Sequence, residues 1–158
     1  MLASNDFMSQ TKNTAMTRDF TATTFVVWHG CVLLHWHKKS RAWFPCGGHI
    51  EANELPDEAA VREVLEESGV AVELVGERAL NVDEPKQLVR PRGIQLETIS
   101  PDHEHIDLIY FAKPVDGYEG KLLETDPSLG WYAQGDLDRL ELTEEIRQWT
   151  ALALAELA

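Results

Sequence analysis

Cysteine is scarce: Cys31 and Cys46 are the only two in 158 residues. That is no disulfide framework, and it points to a reducing compartment, with the cytoplasm as the expected location. No apolar run approaches the ~18 residues of a membrane-spanning helix, and the first residues lack the basic-then-apolar layout of a signal peptide. Positive charge is also in short supply. The 14 Lys and Arg stand against 27 Asp and Glu, for a formal charge of −13. Binding to a nucleic-acid polymer depends on counterion release by clustered cations, so this balance argues against that partner, and against an anionic membrane surface. A small phosphorylated substrate stays open, provided that cations neutralise the carboxylates around it. A homodimer also stays open.

No internal repeat and no linker interrupts the chain, whose length suits one domain. Residues Met1 to Arg18 are polar and aperiodic and are expected to be a loose arm, with Met16 as an alternative start. The domain itself is expected over residues 19–158. From Thr21, β-branched and aromatic runs on either side of His29-Gly30 predict a hairpin. Trp43 to Ile50 contains the pair Gly47-Gly48, where the backbone must bend or approach something closely. Pro56 to Ser68 is the clearest helix, with Pro at its first position, Asp57 and Glu58 in its first turn and Gly69 to stop it. Leu55 is a poor N-cap for it. Strands are expected over Val70–Leu80, Ile94–Thr98, His103–Ala112 and Trp131–Ala133, and a terminal helix over Leu142–Leu157. The fold class is α/β: a mixed sheet flanked by two helices.

The middle helix carries the chemistry. Ala60, Val61, Val64 and Leu65 share one face, suited to burial. Glu63, Glu66 and Glu67 share the other, since spacings of three and four place side chains together. With Glu51, Glu54, Asp57 and Glu58 there are seven acids between positions 51 and 67, against the single base Arg62. Like charges so placed repel, and a solvated acidic face is one reading of them. Divalent cations are the other: carboxylate oxygens at this density suit Mg²⁺ or Mn²⁺.

Spacing decides between the two. From Gly48 there are five residues to Glu54 and seven more to Arg62, then Glu63, Val64, Leu65, Glu66, Glu67, Ser68, Gly69 and Val70. This string resembles, at every defined position, the signature of the Nudix hydrolases. The resemblance implies a Nudix-type α/β/α sandwich and a pyrophosphohydrolase that uses Mg²⁺ or Mn²⁺. The expected reaction is in-line attack of a metal-activated water on phosphorus in a nucleoside diphosphate linked to another moiety. It further implies that Glu66 and Glu67 are metal ligands, that Glu63 joins them or positions a water, and that the Gly48 carbonyl completes the site. Glu54 and Arg62 are expected to pair and brace the loop. Two positions depart from the family pattern, Cys46 between Pro45 and Gly47, and Leu55 before the helix proline. Neither is a ligand, and Cys46 is expected to be a buried small side chain.

Outside the box, Glu124 ahead of Trp131 resembles a further family carboxylate, and Glu104 competes with it as the group that takes the proton. His103, His105 and Asp107 alternate on one strand face. Without a committed third ligand they are weak evidence for zinc, and His105 reads better as a contact to substrate phosphate, alongside His49. His35 and His37 read as packing or surface residues. Arg41 and Arg90 lie in loops flanking the box and could meet remaining phosphate charge. Pro85, 15 residues after Val70, is placed as in ADP-ribose pyrophosphatases, while nucleoside triphosphates and dinucleoside polyphosphates stay open as substrates. The alternative to an enzyme is a non-catalytic Nudix domain that senses nucleotides or binds a protein.

Overall fold

Alternation along two long strands organises the molecule, described by a computed structural model over residues 15–158. Strands β1 (Thr17–Trp28) and β7 (His103–Pro114) run parallel, with Asp19 opposite His105 and Phe25 opposite Phe111. Successive side chains of a strand point to opposite faces, so the odd-numbered residues of this pair meet one helix layer and the even-numbered ones the other. On the odd side, Phe25, Val27, Ile109 and Phe111 pack with Ile146, Ala153 and Leu157 of the terminal helix α3 (Glu144–Leu157). On the even side, Ala22, Val26, Tyr110 and Ala112 meet Ala59, Ala60 and Val64 of α1 (Pro56–Ser68). The expected α/β/α sandwich follows.

The sheet is mixed. Strand β2 (Cys31–His37) turns back from β1 through His29 and Gly30, both at positive φ, and pairs with β3 (Ala42–Phe44) and β8 (Gly130–Ala133). Strand β4 (Cys46–His49) lies antiparallel to the first half of β1. Strands β5 (Val72–Val75) and β6 (Gly93–Ser100) are antiparallel to β7. A single helical turn, α2 (Gln134–Leu137), follows β8 and buries Leu137.

Several expectations change. Strand β1 starts at Thr17, inside the stretch read as an arm, because Thr17 and Arg18 find partners in His103 and Glu104; the earlier part of that stretch lies outside the described residues. The strand expected over Val70–Leu80 is only Val72–Val75, since Gly76 closes it against Val89 and the backbone of Arg90. The buried face of α1 is Ala59, Ala60, Val64 and Ser68, while Leu65 is 49% exposed. Ser68 displaces Leu65 because its hydroxyl donates to the Val64 carbonyl, so the polar group is satisfied and can be buried. The terminal helix starts two residues later than expected, with Thr143 as its N-cap accepting from the Ile146 N–H.

Candidate functional site

Helix α1 starts without a side-chain cap, in keeping with Leu55 at that position. The loop leading into it is held by Arg62 instead. The guanidinium donates from Nε to Glu54 Oε1 (2.6 Å), and from Nη2 to Glu54 Oε2 (3.0 Å) and to the His49 carbonyl (3.0 Å). Glu54 Oε2 also accepts from the Glu51 N–H at 2.9 Å. The hydrogen bonds from Arg62 hold the Glu54 carboxyl below its ordinary pKa. The expected pairing of Glu54 with Arg62 is therefore present, and it closes the loop from 49 to 54 onto the helix.

The remaining nitrogen, Nη1, reaches Glu63 Oε1 at 2.7 Å and Glu66 Oε2 at 3.2 Å. Glu63 is largely covered and Glu66 mostly exposed. Glu67 points back to β4, where its Oε2 accepts a long hydrogen bond from the Gly47 N–H (3.4 Å). Burial, and next the charge of Glu63, push the Glu67 carboxyl up to about 7. Both glycines are required by close approach, Gly48 to Glu63 and Gly47 to strand β1. A Cβ on Gly48 would fall 2.5 Å from Glu63 Oε1, and one on Gly47 would fall 2.7 Å from the Ala22 carbonyl. Glu63 and Glu67 thus meet the bare backbone of β4, and Glu66 joins Glu63 through the Arg62 guanidinium.

This donor set fits a hard divalent cation. It is all oxygen, it carries surplus negative charge, and the strand beside Glu63 is cut back to glycine. Cys46 is fully buried beside it, and desolvation followed by the charge of Glu67 pushes its thiol far up, so it is an unreactive filler as expected.

Two residues that the sequence did not single out adjoin this cluster. His35 on β2 sits between carboxylates, with Nε2 3.7 Å from Glu67 Oε2 and Nδ1 3.7 Å from Asp126 Oδ2. Burial keeps its imidazole below the usual pKa, and hydrogen bonds from Ser128 keep Asp126 ionised below the usual carboxylate range. The one available signal was a histidine at an inward strand position two residues from His37, which packing explained equally well.

A cavity of about 600 Å³ opens beside the loop, lined by Arg18, Asp19, Phe20, His49, Glu51 and Pro56 among others. That size suits a nucleotide-sized ligand. Glu104 stands at its wall through an ion pair with Arg18 (2.7 Å). Glu124 is exposed on a loop fastened to the end of α1 by the Leu123 N–H, which donates to the Ser68 carbonyl (3.0 Å). Among the described residues, neither Glu104 nor Glu124 has a polar contact with Glu63, Glu66 or Glu67. Arg41 sits in the β2–β3 turn at positive φ, and Arg90 is exposed 3.9 Å from Glu77; neither lines the cavity. His49 and His105 pack edge to face at 4.9 Å on the sheet face opposite Glu63. Asp107 on that same face is buried, accepts from Thr21 (2.8 Å) and Thr23 (3.0 Å), and is pushed up to about 7 by burial and then by Glu97.

Comparison with known proteins agrees with this geometry. The NUDIX domain family matches residues 19–154. A NUDIX-family hydrolase from Clostridium perfringens superposes with a TM-score of 0.77 at 36% identity, over 90% of this chain and all of the other. The mutator MutT protein from Bacillus halodurans gives a TM-score of 0.57 at 25% identity, over 86% of this chain and 82% of its own. A MutT NUDIX hydrolase from Burkholderia pseudomallei shares the fold, with a TM-score of 0.59 at 21% identity, over 90% of this chain and 99% of its own. No curated protein matches the chain.

Proposed function

The chain belongs to the Nudix hydrolase family, and from that premise we propose that it hydrolyses a pyrophosphate bond in a nucleoside diphosphate linked to another group, with Mg²⁺ or Mn²⁺ on the Glu63–Glu66–Glu67 face. The observation that carries this reading is the approach of Glu63 and Glu67 to the Gly47–Gly48 backbone, with Arg62 bridging Glu63 to the exposed Glu66. Glu63, Glu66 and Glu67 would hold the ion, with the Gly48 carbonyl beside them. A bound divalent cation supplies charge neutralisation for the phosphates and lowers the pKa of a water.

The chain's own groups do the rest. Arg62 holds the loop so that Glu51 and His49 face the cavity where the substrate lies. Burial, and next the charge of Glu63, hold the Glu67 carboxyl up at about 7, and a bound cation would favour its ionised form. We assign to Glu124, which has no ion pair among the described residues and whose loop is tied to the end of α1, the role of accepting the proton released by attack on phosphorus. Glu104 is committed to Arg18.

A phosphate-release screen tests this reading. ADP-ribose, nucleoside triphosphates and dinucleoside polyphosphates are offered with Mg²⁺ or Mn²⁺. At least one class is expected to turn over, only with cation present, and Glu67→Gln is expected to lower kcat by at least about a hundredfold. Binding of a nucleotide without turnover across the panel would instead assign a sensor.

A further inference from the structure

Three imidazoles and a carboxylate meet on the sheet face that points away from Glu63. Asp19 on β1, His49 on β4, and His103 and His105 on β7 each offer one ligand atom, and all four atoms lie within 4.8 Å of one another. Strand register brings them together. His105 is opposite Asp19 and His103 opposite Thr17 in the parallel pair, and His49 is opposite Thr21 in the antiparallel one. Because Gly48 faces Glu63, the next residue, His49, points to the other side. The cluster is therefore separate from the carboxylates of α1.

Two of its distances match those of a ligand set. Asp19 Oδ2 is 3.4 Å from Nε2 of His49 and 3.4 Å from Nε2 of His103. Two ligands at ~2.0–2.1 Å from a tetrahedral Zn²⁺ are themselves about 3.3–3.4 Å apart. The Thr17 hydroxyl has one proton, which it donates to the Asp102 carbonyl (3.3 Å). In the Nδ1–H tautomer, His103 donates to the Thr17 hydroxyl at 2.8 Å and presents its Nε2 lone pair toward Asp19. A carboxylate on the far side of a metal-binding imidazole often plays this orienting part, and here a hydroxyl does. The His105 ring packs edge to face against both His49, at 4.9 Å, and His103, at 5.0 Å, which keeps the three imidazoles in one cluster.

We propose that Asp19, His49, His103 and His105 form a second cation site that takes a transition-metal ion of the Zn²⁺ type. Three nitrogens and one oxygen select such an ion over Mg²⁺, which prefers oxygen and octahedral geometry. The ion would tie β1, β4 and β7 together at the wall of the cavity, since Asp19 and His49 line it. This site is independent of the metal face of α1, and its test needs no turnover.

The test titrates the EDTA-stripped full chain with Co²⁺ and with Zn²⁺ alone, with no nucleotide. One equivalent of Co²⁺ should give the intense visible absorption of a four-coordinate ion, and Zn²⁺ should displace it. Thr17→Val keeps all four ligands and should weaken Zn²⁺ binding about 10- to 100-fold. The His49→Ala, His103→Ala and His105→Ala variants should weaken it further, while their melting temperatures in EDTA show that they fold. A Glu66→Gln, Glu67→Gln double variant should bind Zn²⁺ as the wild type does. The weak absorption of a six-coordinate ion, unchanged affinity in the histidine variants, or loss in the glutamate variant would each overturn the proposal.

Discussion

Arg62 grips Glu54 as a fork, with Nε on one carboxylate oxygen at 2.6 Å and Nη2 on the other at 3.0 Å. Seven residues lie between the two in sequence, and the pair closes the loop before α1 onto the helix. A lysine has a single ammonium and cannot reproduce two parallel bonds while also reaching the His49 carbonyl. Arg62→Lys is therefore expected to lower stability by about 1–2 kcal/mol in urea unfolding, a range already discounted for partial exposure of the pair. Its kcat should fall more than that loss accounts for, because the loop between 49 and 54 is freed. Unchanged unfolding and unchanged kcat would mean that the fork holds nothing in place.

The two glycines of β4 differ in what stands before them, and this separates folding from activity. At Gly47 a new Cβ would meet the Ala22 carbonyl, which is backbone and cannot yield. At Gly48 it would meet the Glu63 carboxylate, the end of a flexible side chain. Gly47→Ala should therefore lower the melting temperature sharply. Gly48→Ala should keep most of its stability yet lose cation-dependent turnover by about a hundredfold, because Glu63 is pushed out of the cluster. Thermal melts and kcat on an accepted substrate check both, and the reverse order would contradict the geometry.

Much of this site was legible in the sequence because a single helix carries it. Glu63, Glu66 and Glu67 are fixed relative to one another by helical spacing, and Pro56 and Gly69 mark ends that the structure reproduces. Burial within that helix was less legible. Ser68 replaces Leu65 on the inner face because a hydroxyl can satisfy itself on the Val64 carbonyl, which no hydrophobic pattern reveals. Contacts that depend on tertiary pairing were legible only in part. His103 and His105 were visible as an alternating pair, but their partners Asp19 and His49 come from two other strands. His35 meets Glu67, and Asp126 meets His35, only because β2 and the loop before β8 come together beside α1.

Asp107 gives a pH dependence with a definite sign. Its carboxyl rises from 3.8 to about 7 on folding, first by burial and then through Glu97, so the folded state binds a proton that the unfolded chain has already lost. Stability then falls as pH rises from about 4 to about 7 and levels off above that window. An amide in place of this carboxyl is neutral throughout, and its oxygen can still accept from Thr21 and Thr23. In EDTA, Asp107→Asn should match the wild type near pH 4 and exceed it in melting temperature at pH 7.5. A constant difference between the two across pH would rule out a buried proton at this position.

Two carboxylates outside the helix compete to take the proton from the attacking water, and their surroundings differ. Glu104 is tied to Arg18 at 2.7 Å, which commits its carboxylate to that guanidinium. Glu124 has no such partner among the described residues, and its loop is anchored on the end of the helix that carries Glu67. Glu124→Gln should therefore lower kcat more than Glu104→Gln, by about 10²- to 10⁴-fold if it is the base. Its thermal shift on adding Mg²⁺ should stay near that of the wild type, since neither change touches the cation ligands. The pH profile separates the cases further: removing the base abolishes the acidic limb of kcat, whereas removing a substrate contact raises KM and keeps that limb. If Glu104→Gln loses the limb instead, the two roles are exchanged; if both variants keep it, the proton goes to Glu63.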